Sequence, residues 1–176
     1  MQFRPFLKKT IRFAVAALML TPVMAMASDK ILVSVPNVPG DSRLKGFEGQ
    51  LEVNSFSISA TVPPGGKPTL APVVVTKSAD VATPLLMEAL GKGTKLGTVT
   101  LRTALRNSVG AVGVINTITL TDARVVDWRY FDVAGSGGNG TEQVSFVGSS
   151  YTVQFDQVDP ATGARTPGIP RTISGL

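Results

Sequence analysis

Neither cysteine nor histidine occurs in the 176 residues. Without histidine the chain lacks the commonest general base and metal ligand; without cysteine it lacks a thiol nucleophile and any disulfide. Most hydrolase and metal-site designs are thereby excluded. The fold must be held by packing and hydrogen bonds even if the protein is exported. No catalytic, cofactor-binding or metal-ligating residue is assigned, no cofactor is expected, and the chain is read as a non-enzyme. Serine, lysine and carboxylates remain, but no G-x-S-x-G elbow is present and no acidic pair stands apart from ordinary surface groups. Asp122, Asp127 and Asp132 are read as solvated or salt-bridged surface carboxylates.

An apolar run long enough to span a bilayer is missing too. The stretch FAVAALML (13–20) falls short of the roughly 20 residues required, and Pro22 interrupts it. With Arg4, Lys8, Lys9 and Arg12 around its start and Ala25-Met26-Ala27 after it, residues 1–27 read as a secretory signal peptide, cleaved between Ala27 and Ser28. The protein is then expected to be periplasmic or secreted, without membrane attachment once the signal is gone. A true start at Met26 would instead leave it cytoplasmic before secretion. Removing the signal takes four of the 17 basic residues, so 13 remain against 12 acidic ones. No Lys/Arg cluster is left to grip a phosphate backbone, and nucleic acid drops out as a partner.

What is present is mostly alternation with period two. KILVSV (30–35) reads as a strand, ended by a segment rich in proline and glycine. In GFEGQLEVNSFSIS (46–59) the apolar positions move from Leu51 and Val53 to Phe56 and Ile58, a parity change that places a bulge or kink near Asn54 and Ser55. PPGGKPT (63–69) is a connector, stiffened by Pro63, Pro64 and Pro68 and reversed at Gly65 and Gly66. The valine run in LAPVVVTK (70–77) implies burial on both faces. A helix follows, with Thr83 as its cap, Pro84 at its first position, Leu85, Leu86, Met87 and Leu90 on its apolar side, and Gly91 or Gly93 at its end. Further strands are expected at Val99–Leu101, Ile118–Leu120 and Val126–Tyr130, with Trp128 and Tyr130 in the core. A last strand changes parity across Gly148, again as a bulge. The glycine loop GSGGNG (135–140) feeds a strand and not a helix, which argues against a phosphate loop. The expectation is a mainly all-β fold with one short helix, over residues 28–160, and a Pro/Gly-rich tail at 161–176 that lies on the body or hangs free.

The order of these pieces is distinctive. VPNVPGDSRLKGFEGQLEVNSFSIS (35–59), GKPTLAPVVVTKSADVATPLLMEALGKGT (66–94), TVTLRTA (98–104), ITLTDARVVDWRY (118–130) and TEQVSFVGSSYTVQF (141–155) resemble, in sequence and order, the Hcp family, the tube subunit of bacterial type VI secretion. The resemblance spans roughly residues 31–160. It implies a curled two-sheet β-barrel with one helix at its side, assembling as a homohexameric ring. Rings that stack into a tube, a spike protein and small effectors as partners are implied with it. By position, Val62, Pro63, Pro64, Gly65, Gly66, Lys67 and Pro68 correspond to the loop that reaches the neighbouring ring. One feature departs from the family, whose subunits usually lack a cleavable signal. The alternative reading is an exported monomeric β-domain that binds a ligand or surface partner.

Overall fold

The computed structural model describes residues 29–106, 112–132, 138–158 and 164–174. Its strands are β1 (Lys30–Ser34), β2 (Leu51–Val53), β3 (Ser55–Ser57), β4 (Ala60–Thr61), β5 (Thr69–Leu70) and β6 (Val73–Ser78). After helix α1 (Thr83–Lys92) come β7 (Gly97–Arg106), β8 (Val112–Phe131), β9 (Thr141–Val147), β10 (Ser150–Phe155), β11 (Gln157–Val158), β12 (Arg165–Thr166) and β13 (Arg171–Ser174). The main sheet runs β2-β1-β7-β8-β9-β6-β3, with β10 and β13 on a branch from β8. Its two ends, β2 and β3, are consecutive in the chain and separated only by Asn54, whose N–H donates to the Thr76 carbonyl (2.7 Å). The sheet therefore curls back on itself.

The parity change at Asn54 is thus the passage from one end of the curled sheet to the other and not a bulge within one strand. Leu51 and Val53 pair with β1 and bury their side chains, whereas Phe56 pairs with Val75 of β6. The second parity change has a related cause. β8 is one strand of 20 residues, paired along one side first with β10 and then with β9. Registers Thr121↔Ser150 and Arg124↔Val147 leave two residues on each strand between them, so neither gains an extra residue. Both turn a corner together. On β8 the inward positions pass from Ile118 and Leu120 to Ala123 and Val125; opposite them they pass from Tyr151 to Phe146 and Val144. Asp122 takes a positive φ of 50° at that level, and a Cβ at Gly148 would lie 2.7 Å from the Thr121 carbonyl oxygen. Such bends are how a strand passes from one packed sheet to another. Between Val125 and Asp127 the register with β9 does shift as in a bulge, and Val126 there faces solvent.

The core is mostly aliphatic, with Phe146 and Tyr151 as its fully buried aromatics, and is built from inward residues of β1, β2, β6, β7, β8, β9 and β10 together with Leu86 and Ala89 of α1. β6 alternates: Val73 and Val75 are buried while Val74 is half-buried, so the valine run has one buried face and not two. Helix α1 ends in a Schellman arrangement, with Gly93 left-handed (φ 61°), its N–H on the Leu90 carbonyl (3.1 Å) and the Thr94 N–H on Ala89 (2.9 Å). Its start differs from expectation. Ala82 occupies the N-cap position without a side-chain cap, and Met87 faces solvent.

Candidate functional site

Thr83 does not cap the helix because its hydroxyl is committed elsewhere. It accepts the Asp80 N–H (3.0 Å) and donates to Oε1 of Glu142 (3.0 Å). The same Oε1 accepts from Lys77 Nζ (2.7 Å), and Oε2 accepts from Trp128 Nε1 (2.7 Å). Lys77 also pairs with Asp80 Oδ1 (2.7 Å) and donates to the Ser78 carbonyl (2.8 Å). Both Lys77 and Glu142 are fully buried. This node joins β6, the start of α1, β8 and β9, and each charge in it is both paired and hydrogen-bonded. Those are the conditions under which buried ions are tolerated.

The node was legible in parity. Val73, Val75 and Lys77 share one face of β6, and Glu142, Val144 and Phe146 share one face of β9. A lysine on an inward face requires a buried carboxylate. Register places Lys77 opposite Glu142. Trp128 is held at the rim of the core by its bond to Glu142, whereas Tyr130, stacked on it at 6.3 Å between ring centroids with planes 9° apart, is 44% exposed. Tyr130 is therefore at the rim and not in the core.

Carboxylates read as surface groups are placed at the surface. Asp122 accepts from Ser149 Oγ (3.2 Å), Asp127 pairs with Arg129 (3.1 Å), and Asp132 accepts from Tyr130 Oη (3.2 Å). The spacing Ser42-x-x-Lys45 also occurs in the chain, but the Ser42 hydroxyl donates to Glu52 Oε1 (3.2 Å) and accepts the Leu44 N–H (3.3 Å). Ser42 is a turn residue fixing the segment between β1 and β2. Its backbone supports that: Ser42 N–H bonds the Gln50 carbonyl (3.0 Å) and Gly49 N–H bonds that of Ser42 (2.9 Å).

The seven residues Val62–Pro68 form the tip of a separate hairpin whose stem pairs Ala60 with Leu70 and Thr61 with Thr69. Pro63 to Gly66 make a tight reversal, with the Gly66 N–H on the Pro63 carbonyl (2.9 Å) and Gly65 at φ 70°. Pro64 and then a glycine at positive φ is the sequence that a type II turn requires. Val62 is 65% exposed, and of the tip only Pro68 is half-buried. The hairpin thus carries an apolar side chain on a pre-shaped turn outside the core. Ala27 and Ser28 lie outside the described residues, as does the first half of the glycine loop. Among the described residues no helix is long and apolar enough to cross a membrane.

Against this geometry the comparisons with known proteins agree. Residues 29–155 match the family described as type VI secretion system effector, Hcp. The major exported protein of Pseudomonas aeruginosa is 33% identical over 95 residues, which is 50% of this chain and 55% of that protein, so the match spans about half of each. Among solved structures, one described as a type six secretion system protein superposes with a TM-score of 0.75 at 20% identity, over 84% of this chain and 96% of its own. Hcp1 from Salmonella typhimurium gives 0.70 at 16% identity, over 85% and 95%. The secreted protein Hcp3 from Pseudomonas aeruginosa gives 0.63 at 21%, over 84% and 98%. The structural likenesses establish the fold, and with the family match over 29–155 they show that this chain belongs to the Hcp family of type VI secretion.

Proposed function

We propose that the chain is a structural subunit of a type VI secretion tube, without catalytic activity of its own. Copies associate as hexameric rings, and the hairpin tip Val62–Pro68 makes the contact between stacked rings. The observation that carries this assignment is the separation of the tip from the core. A two-residue stem holds a rigid, proline-shaped turn in solvent, where its order serves nothing within the protomer. Prolines lower the entropy lost when such a segment is ordered against a partner. A spike protein and small effectors are the further partners this role implies. Export through residues 1–27 would deliver a chain starting at Ser28, and N-terminal sequencing of periplasmic protein by mass spectrometry tests that; a cytosolic chain beginning at Met26 would refute it.

Replacing Val62–Pro68 with a short Gly-Ser linker tests the stacking role. Cooperative unfolding and hexamer mass are expected to persist while stacked tubes disappear from electron micrographs at high protein concentration. Tubes that persist would reject the assignment, and loss of the hexamer would move the loop's contact to within a ring.

A further inference from the structure

β13 is the outermost strand of the branch and the least anchored one. The curled path is closed by β2 and β3, but β13 lies outside β10 with its far side unpaired among the described residues. Arg171–Ser174 are all exposed. Among the described residues their one side-chain hydrogen bond to β10 is the hydroxyl pair Thr152–Thr172 (2.7 Å). None of its residues belongs to the core cluster.

The chain just before it is tied down. The Asp156 carboxylate, 7% exposed, accepts from Gln154 Nε2 (3.0 Å) and the Gly168 N–H (3.1 Å) and pairs with Arg165; the Asp156 N–H reaches the Ile115 carbonyl (2.8 Å). A Cβ at residue 168 would collide with the Phe155 carbonyl, so glycine lets the chain lie flat there. These ties end at Gly168. Ile169 follows, 74% exposed, and then Pro170, which fixes φ and has no N–H to pair. Phe155, 60% exposed, and Ile173 stand on either side of this pivot.

We propose that the arm Ile169–Ser174 is exchanged between copies, adding to β10 of a second subunit in the antiparallel register it makes with its own. That register, Ser150↔Ser174 to Val153↔Arg171, uses backbone groups and one hydroxyl pair that any second copy offers identically. Exchange therefore replaces like with like, the low-cost route by which identical chains associate. A neighbouring body at the pivot would also cover Phe155, Ile169 and Ile173, which are exposed around an open sheet edge in the single chain. The inference rests on the reading that copies self-associate.

Because the chain has no cysteine, a paired replacement of Thr152 and Thr172 by cysteine in the full chain reports where the arm sits. Facing Cα atoms in an antiparallel pair are about 4.5–5.5 Å apart, within disulfide range. Mild oxidation is followed by denaturing, non-reducing electrophoresis, with light scattering on the same sample before denaturation. Exchange predicts covalent multimers that collapse to single chains on reduction. Oligomers whose chains run singly overturn the exchange and leave self-association standing, whether the disulfide has closed within each chain or has not formed. A monomer at every concentration overturns both. Paired replacement of Ser150 and Ser174, two positions along the same register, repeats the measurement should the first pair disturb folding.

Discussion

Two carboxylates organise this molecule, and their surroundings differ. Glu142 is fully buried and collects Lys77, Thr83 and Trp128 from three other elements. Asp156 lies at the side of the barrel and collects Gln154, Arg165 and Gly168, two of them from the last segment of chain. The chemistry is nearly the same, but Glu142 is shut off from solvent, whereas the arm beyond Asp156 is exposed to it. The first hub is therefore a condition of the fold. The second is a clasp that holds a peripheral segment without underwriting the core.

Breaking the buried hub gives the largest effect. Glu142→Ala leaves the Lys77 ammonium buried beside Asp80 alone, and truncating one partner of a buried pair costs about 3–5 kcal/mol; urea titration measures it. A loss below about 1 kcal/mol would show that Lys77 escapes to solvent. Pairing Lys77→Met with Glu142→Leu sharpens the point: removing both buried charges should recover part of that loss, the remainder reflecting the Asp80 carboxylate and the Trp128 N–H left without their partners.

Leu86 anchors α1 on the core side of the same hub. Leu86→Ala should cost about 2–5 kcal/mol in the same titration, because the side chain is wholly buried between helix and sheet. A cost under about 0.5 kcal/mol would make the helix peripheral and would break the contrast between the two regions.

At the outer clasp the expected effects are local. Asp156→Asn should lower the unfolding midpoint only slightly but speed hydrogen exchange at the Gly168 amide, which loses its charged acceptor. pH makes the same test without mutation. The hydrogen bond from Gln154, then Arg165, then the Gly168 N–H hold the Asp156 carboxyl below its ordinary value of 3.8. A group depressed in the folded state stabilises above its unfolded pKa and loses that contribution as pH falls through the folded one. Protection at Gly168 should accordingly be constant above about pH 4 and fall as the solution is acidified further. Protection that tracks global unfolding at every pH would mean that the arm belongs to the core after all.

How much of this could be read in the sequence follows from what sets each feature. Strand alternation and the helix with its glycine stop are local, and Pro84 and Gly93 marked the helix correctly. Both parity changes were also visible, at Asn54 and Gly148. Their meaning was not, because one chain segment cannot show which partner it pairs with: Asn54 proved to be the passage between the two ends of the curled sheet, and Gly148 half of a corner whose other half, Asp122, lies 26 residues earlier. The Lys77–Glu142 pair is separated by 65 residues, so parity could show that each faces inward but not that they meet, and neither residue was singled out in the sequence. Thr83 has the cap residue's chemistry and was drawn away from that role by the same distant glutamate.

The hairpin tip and the arm acquire a purpose only if copies of this chain assemble, so the solution mass is the most direct measurement. Light scattering on the chain beginning at Ser28, over a wide concentration range, should give a species of six subunits at physiological ionic strength. A single-subunit mass at all concentrations would contradict the account and leave an exported monomeric β-domain in its place.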